Sequence, residues 1–216
     1  MSTTSALDPA HTALLVMDYQ PVILALLPES TREALLERME KVIAEVRTRG
    51  GTIAYVRVGF TEADWVAIPP TSRSFAPIAQ HRLMHHADPG TAIHGRLAPQ
   101  DGDIIVRKTR YGGLSTTGLD QRLREHGITT LAIAGISTSG VVLSTVLDAA
   151  DRDYQLHVLA DGVAGPDPDV HDVLLCQVFP SRAHILQTAE LHALPSAISR
   201  LRGSPAMAIR SASERP

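Results

Sequence analysis

The stretch that decides the fold is LAIAGISTSGVVLSTVLDAADRDY, residues 131–154. It opens with a continuous apolar run, passes through a short polar turn, and continues with apolar residues at helical spacing. A strand that is apolar at consecutive positions is typical of a parallel sheet that is buried on both faces. The stretch therefore predicts a buried strand, a tight turn and a helix, an arrangement in which α/β enzymes commonly carry a nucleophile.

Short apolar runs of the same kind recur along the chain, and helical patterns lie between most of them. This alternation predicts right-handed βαβ crossovers and a doubly wound, six-stranded, mostly parallel sheet with helices on both faces, which is a Rossmann-like α/β fold. The six runs are TALLVM (12–17), TIAYVRV (52–58), DIIVRK (103–108), TTLAIAG (129–135), QLHVLA (155–160) and AHILQ (183–187).

Four helices are predicted from apolar spacing. The clearest follows Ser30, which is spaced to form a capping box with Glu33, and it ends at Gly50. Two others run over about 119–126 and 141–151. The fourth begins near Pro168 and is predicted to bury one apolar face. That face contains Val170, Val173, Leu174 and Val178.

Length and composition restrict the class of protein. A chain of 216 residues is long enough for one substantial core, and we expect a single domain over residues 1–202 with a flexible tail over 203–216. The net charge of −3 gives no reason to expect nucleic acid as a partner, and no apolar run is long enough to span a membrane. The single cysteine, Cys176, excludes an internal disulfide, fits a cytoplasmic location and is predicted to be a structural thiol.

The segment 59–102 is rich in proline, carries four histidines and is long for a loop, so we expect it to form a lid or a wall facing the substrate. His81 and His85 have the i,i+4 spacing of metal ligands, but no carboxylate or cysteine follows at a recognisable spacing. No dinucleotide fingerprint or phosphate-binding loop occurs. We therefore expect neither a metal nor another cofactor.

Candidate functional residues follow three of the predicted strands. Asp18 follows the first, Lys108 ends the third, and the GISTSG turn (135–140) follows the fourth. Each alone has an ordinary structural explanation. Asp18 could cap a helix or a turn, Lys108 could be a solvated strand end, and the GISTSG turn could be an ordinary Ser/Thr turn. Because ligands bind beyond the carboxyl ends of parallel strands, the three together predict a site. Unpaired N–H groups at Gly140, Val141 and Val142 could bind an anion there.

Over roughly residues 10–195 the sequence resembles the isochorismatase-like hydrolases, also called the cysteine hydrolase family. The resemblance is carried by TALLVMDYQ, by GTAIHGRLAPQDGDIIVRKTRYGGL, and by LAIAGISTSGVVLSTVLDAADRDYQLHVLADGVA with its acidic end at Asp161. It implies a small-molecule substrate, a cis peptide at Ile136–Ser137, and a homodimer or homotetramer.

The amidases of this family use an Asp, a Lys and an attacking Cys, and the resemblance places that Cys at position 141, where this chain has Val141. The isochorismatases proper also lack the cysteine. In them the Asp protonates a carbon of a vinyl ether, and water captures the resulting cation. An apolar residue beside Asp18 would favour a carboxyl that keeps its proton, whereas a charged Lys108 would oppose it.

Three hypotheses follow. The first is a hydrolase without a cysteine nucleophile, in which Asp18 is the general acid/base and Lys108 binds or orients the substrate. The second is a non-catalytic binding or assembly relative that has lost the amidase nucleophile. The third uses Ser139 as nucleophile, although no adjacent base is visible. Candidate substrate-binding residues are Arg57, Tyr111, Ser137, Ser139, Gly140, Val141 and Val142.

Overall fold

The computed structural model describes residues 7–193. Its centre is one six-stranded sheet of order β3-β2-β1-β4-β5-β6, in which all the described strand pairs are parallel. The predicted doubly wound α/β fold is therefore confirmed, and the sheet is parallel throughout. The strands are β1 (Thr12–Met17), β2 (Thr52–Val58), β3 (Ile104–Lys108), β4 (Thr130–Ile136), β5 (Gln155–Ala164) and β6 (His184–Leu186).

Helices cover both faces of the sheet. Alternate residues of β1 face opposite cores: Leu15 packs with residues of α5 and α6, and Leu14 packs with the buried stripe of α2. This explains why β1 is apolar at consecutive positions. The helices are α1 (Pro21–Leu24), α2 (Glu29–Thr48), α3 (Glu62–Val66), α4 (Ala76–Gln80), α5 (Leu119–Glu125), α6 (Leu143–Ala150) and α7 (Pro168–Val173).

The predicted start of α2 is wrong, although its end is confirmed. The helix begins at Glu29 after Pro28, without a side-chain cap, so Ser30 already lies in the first helical turn and does not cap it. A capping box instead opens α3, where Thr61 and Asp64 exchange hydrogen bonds. Gly50 ends α2 with φ of +72°, a conformation that glycine adopts without steric cost.

The apolar face predicted for the helix at Pro168 is only partly buried. Leu174 is buried, but Val170 and Val173 are 41% and 46% exposed. The reason is that α7 passes into a π-helical segment over Leu174–Val178, whose wider turn rotates the later residues away from the earlier ones. Cys176 lies in this segment and is exposed, so its prediction as a structural thiol is also wrong.

The segment 59–102 contains α3 and α4, and it has a small apolar cluster of its own that includes Phe60, Trp65 and Phe75. Backbone hydrogen bonds from Phe60 N–H to the carbonyl of Met84 and from His86 N–H to the carbonyl of Phe60 close the segment on itself. Within residues 7–193 no helix has the length and apolar character needed to cross a membrane. The tail predicted over 203–216 lies outside the described residues.

Candidate active site

Asp18 and Lys108 meet at the carboxyl edge of the sheet. Asp18 directly follows β1 with φ of +58°, and its N–H donates to the carbonyl of Val56 on the neighbouring strand. Aspartate is one of the few non-glycine residues that adopt this conformation readily. Lys108 is the last residue of β3, and its Nζ lies 2.8 Å from Oδ2 of Asp18. Both residues are buried, with exposures of 4% and 3%.

The two oxygens of the Asp18 carboxyl group differ. Oδ2 accepts from Lys108, which also donates to the carbonyl of Arg110 at 3.2 Å. Oδ1 is buried and has no hydrogen-bond partner among residues 7–193. Burial raises the pKa of Asp18 to about 6, and the Lys108 ammonium group, with a smaller contribution from the backbone of Val58, lowers it only in part. The carboxyl group can therefore hold a proton at mildly acidic to near-neutral pH.

A cavity of about 190 Å³ opens onto this pair. Most of its lining is apolar, and its charged side chains are Asp18, Lys108 and Arg110. The other lining residues are Ile23, Leu26, Leu27, Val58, Phe75, Ile78, Met84, Tyr111, Ile136, Ser137, Gly140, Val141 and Pro166. Three of these, Phe75, Ile78 and Met84, come from the segment 59–102, which forms one wall of the cavity as its length predicts.

The turn after β4 contains the cis peptide at Ile136–Ser137 that the resemblance implies. It continues as a π-helical turn over Thr138–Val142. In that turn the N–H groups of Gly140 and Val142 donate to the carbonyl of Ser137 at 3.2 and 3.3 Å. The prediction that both groups are unpaired is therefore wrong, because the π-helical turn folds back on Ser137 and gives them a partner.

The predicted substrate-binding residues divide into two groups. Tyr111, Ser137, Gly140 and Val141 line the cavity. Gly140 leaves little room for a side chain, since a Cβ atom there would lie 2.8 Å from Oγ of Ser137.

The remaining three predicted residues do not line the cavity. Val142 is buried in the core, and Ser139 is exposed to solvent. Arg57 donates to the carbonyl groups of His86 and Thr91, so it holds the segment 59–102 against the sheet.

Gln20 is a site residue that the sequence analysis missed. It is fully buried, and its amide Nε2 donates to the carbonyl groups of Val58 and Thr91 at 2.8 and 2.6 Å. Its Oε1 accepts from the N–H of Val58 at 2.8 Å. Gln20 therefore joins the strand end beside Asp18 to the wall segment. Its position two residues after Asp18 was the available signal, but a single sequence does not show that this glutamine is buried.

Two other features lie outside the site. Asp161 receives hydrogen bonds from Thr188 and pairs with Arg38 at 3.1 Å, so it ties β5 to neighbouring elements. Within residues 7–193 no three His, Cys, Asp or Glu side chains are grouped so that they could hold a metal ion. Among the described residues, His81 and His85 therefore belong to no such group.

Comparison with known proteins agrees with this geometry. The model of the isochorismatase domain family matches residues 12–190. The chain belongs to the isochorismatase family. Among curated proteins, the chain is similar to a ureidoacrylate amidohydrolase, RutB, of Methylobacterium radiotolerans. The two sequences are 32% identical over 194 residues, which cover 80% of this chain and 75% of the relative. The chain is also 28% identical over 180 residues to YwoC of Bacillus subtilis, an uncharacterized isochorismatase family protein, covering 83% and 92% of the two chains.

Solved structures of the isochorismatase family share the fold. A cysteine hydrolase from Pseudomonas syringae pv. phaseolicola superposes with a TM-score of 0.77 at 25% identity, covering 88% of this chain and 96% of that one. An isochorismatase family protein from Burkholderia thailandensis superposes with a TM-score of 0.74, also at 25% identity, covering 87% and 96%. Family membership and the hydrolase fold are thus established for this chain.

Proposed function

We propose that this isochorismatase-family protein hydrolyses a small organic substrate by general acid/base chemistry of Asp18, without a covalent cysteine intermediate. The observation that carries the proposal is the unequal environment of the two carboxyl oxygens. Oδ2 is paired with Lys108 at 2.8 Å, whereas Oδ1 is buried and finds no partner in the described part of the chain. Asp18 also lines a cavity large enough for a small molecule. A proton on the Asp18 carboxyl group would be the one transferred to the substrate.

The step can be written for a vinyl ether. The O–H bond of protonated Asp18 breaks and its proton forms a C–H bond at the vinyl carbon, which leaves an oxocarbenium ion. Water adds to that cation, and loss of a proton and of the alcohol gives a carbonyl product. Lys108 stabilises the carboxylate that Asp18 becomes, and the carboxylate recovers a proton released by the attacking water.

The alternatives that need a nucleophile receive less support. Val141 lies in the cavity wall where the resemblance places the family cysteine, and Cys176 is exposed and does not line the cavity. Ser139 is exposed and outside the lining as well. Ser137 lines the cavity, but no histidine lies among the lining residues that the structure describes, so its hydroxyl lacks a base of the usual kind.

The test is a comparison of wild type with Asp18→Asn on two substrate classes. One is isochorismate, a vinyl ether. The other is a set of N-carbamoyl carboxylic acids, because one relative is named a ureidoacrylate amidohydrolase. We expect Asp18→Asn to lower kcat/KM by a factor of about 10² to 10⁴, the usual contribution of a general acid. Asp101→Asn, at an exposed aspartate, is the matched control and should retain the wild-type rate. Equal rates for wild type and Asp18→Asn would contradict the proposal.

Val141→Cys separates the proposed hydrolase from a relative that lost amidase activity. In our proposal the cavity is shaped for Asp18 chemistry, so the new thiol should not create amide hydrolysis. A gain of amide hydrolysis in Val141→Cys, combined with an inactive wild type, would instead indicate a non-catalytic relative that retains the rest of an amidase site.

A further inference from the structure

Arg110 is a cation in the cavity wall that lacks an acidic partner. It is partly buried, it lines the cavity, and no carboxylate among residues 7–193 forms an ion pair with it. Its Nη1 donates to the carbonyl of Thr109 at 2.6 Å. A guanidinium group has five N–H donors, so most of them remain available to a ligand.

The position of Arg110 is fixed by its neighbours. Its guanidinium carbon lies 5.2 Å from the centre of the Phe75 ring, within the range of a cation–π contact. The Phe75 ring in turn meets the ring of Tyr111 edge-on, with 5.0 Å between centres. Arg110 is therefore held over an aromatic wall, which reduces the entropy it would lose on binding a ligand.

The charges of the cavity do not balance. When Asp18 is ionised it compensates Lys108 at 2.8 Å, and Arg110 leaves the cavity with one positive charge in excess; when Asp18 is protonated the excess is larger. The surrounding wall is mostly apolar, which weakens solvent screening and favours an anion that can pair with the guanidinium. A carboxylate matches the fork of an arginine in a bidentate pair.

The size of the cavity limits the rest of the ligand. About 190 Å³ is somewhat larger than the roughly 150 Å³ apolar cavity that holds one benzene molecule. A ligand body of about one ring therefore fits inside it, and the mostly apolar lining favours an apolar body.

We propose that Arg110 determines substrate specificity by binding the carboxylate of a small monocarboxylic acid, whose apolar body packs against Phe75 and Tyr111. This assignment rests on the proposed function for the identity of the site, but the binding itself requires no turnover. It narrows the small organic substrate of the proposed function to compact, mostly apolar carboxylic acids and assigns their carboxylate to Arg110.

The test measures equilibrium binding of benzoate and of benzamide, its uncharged isostere, by NMR titration. Binding to wild type is compared with binding to Arg110→Gln, Arg110→Lys and the control Arg122→Gln. Arg122 lies on α5, donates to the backbone carbonyl of Ile105 on β3 and does not line the cavity. All four proteins are titrated in an Asp18→Asn background as well, so that the result is independent of hydrolysis.

We expect wild type and Arg122→Gln to bind benzoate at least about tenfold more tightly than benzamide, as a charge-assisted hydrogen bond provides. Arg110→Gln should remove that preference while benzamide binding changes less than about threefold. Arg110→Lys should keep part of the preference, since it retains the charge but not the planar fork, and it serves as the test if Arg110→Gln does not fold.

Three results would overturn the proposal. These are equal binding of the two ligands to wild type, an undiminished preference for benzoate in Arg110→Gln, and no binding of either ligand. An undiminished preference for benzoate in Arg110→Gln would indicate that Lys108, and not Arg110, binds the carboxylate. If Asp18→Asn loses turnover but still prefers benzoate, both the acid/base role of Asp18 and the anion-binding role of Arg110 are supported. If Asp18→Asn keeps its turnover and still prefers benzoate, only the role of Asp18 is contradicted.

Discussion

Asp18 and Lys108 form an ion pair of 2.8 Å inside the protein, yet among residues 7–193 only one oxygen of the Asp18 carboxylate has a hydrogen-bond partner. Burial disfavours the ionised carboxyl group, and a single ammonium group compensates for that only in part, so the pKa of Asp18 rises to about 6. The pair is therefore suited to exchanging a proton rather than to stabilising the fold.

Removal of the ammonium group should destabilise the protein more at high pH than at low pH. The pKa of Asp18 is higher in the folded protein than in the unfolded chain, so folding favours the neutral carboxyl group. This contribution to stability is complete at pH values below the pKa in the unfolded chain, and it is lost as the pH rises through the pKa in the folded protein. Lys108→Met should raise the folded pKa further and leave an uncompensated charge at pH 8, costing about 3–5 kcal/mol there. At pH 5 the loss should be clearly smaller.

Urea unfolding of Lys108→Met at pH 5 and pH 8 checks this expectation. Lys41→Met is the control, because Lys41 forms an exposed ion pair with Glu37 and should lose little at either pH. An equal loss of stability at both pH values in Lys108→Met would show that Asp18 does not take up a proton in the folded protein.

Gln20 should be required for the order of the cavity wall. Gln20→Leu leaves the N–H and carbonyl of Val58 without their side-chain partner and leaves the carbonyl of Thr91 with Arg57 alone, so we expect a loss of roughly 2–4 kcal/mol in the free energy of unfolding. Amide hydrogen exchange near Val58 should also accelerate. Gln121→Leu, at an exposed glutamine on α5, should change neither quantity. Unaltered exchange in Gln20→Leu would remove the anchoring role.

His157 should make the protein sensitive to acid. It is fully buried, neither ring nitrogen has a hydrogen-bond partner among residues 7–193, and burial, with a contribution from nearby His184, lowers its pKa to about 4. Since the fold favours the neutral imidazole, stability is lost as pH falls from about 6.5 toward 4. Between pH 7 and pH 5 the loss from this residue is roughly 2 kcal/mol.

His157→Leu should abolish that part of the acid sensitivity, whereas His81→Leu, at an exposed histidine, should not. Denaturant unfolding at pH 7 and pH 5 measures the difference. If wild type and His157→Leu lose the same stability between the two pH values, the protonation of His157 is not coupled to unfolding.

The spacing of apolar residues along the chain was enough to predict the sheet and the meeting of Asp18 with Lys108. The strands could be predicted because a strand buried on both faces is apolar at every position, as Leu14 and Leu15 illustrate. Asp18 and Lys108 could be predicted to meet because parallel strands bring their carboxyl ends to one edge.

The rest of the site depends on contacts between residues distant in sequence. Phe75 reaches the cavity from a segment without strand or helix periodicity, and Arg57 points to backbone carbonyls rather than to the cavity. The hydrogen bonds to Ser137 arise because the turn is π-helical, a rare conformation for which the sequence carries no local signal.

The most direct test of the account is a site-specific titration of the Asp18 carboxyl carbon by ¹³C NMR, assigned by its absence in Asp18→Asn. We expect a midpoint near pH 6, because burial outweighs the Lys108 charge. A midpoint below about 4, the value of an exposed aspartate, would mean that almost no Asp18 carries a proton between pH 6 and pH 7, and would contradict its role as the proton donor.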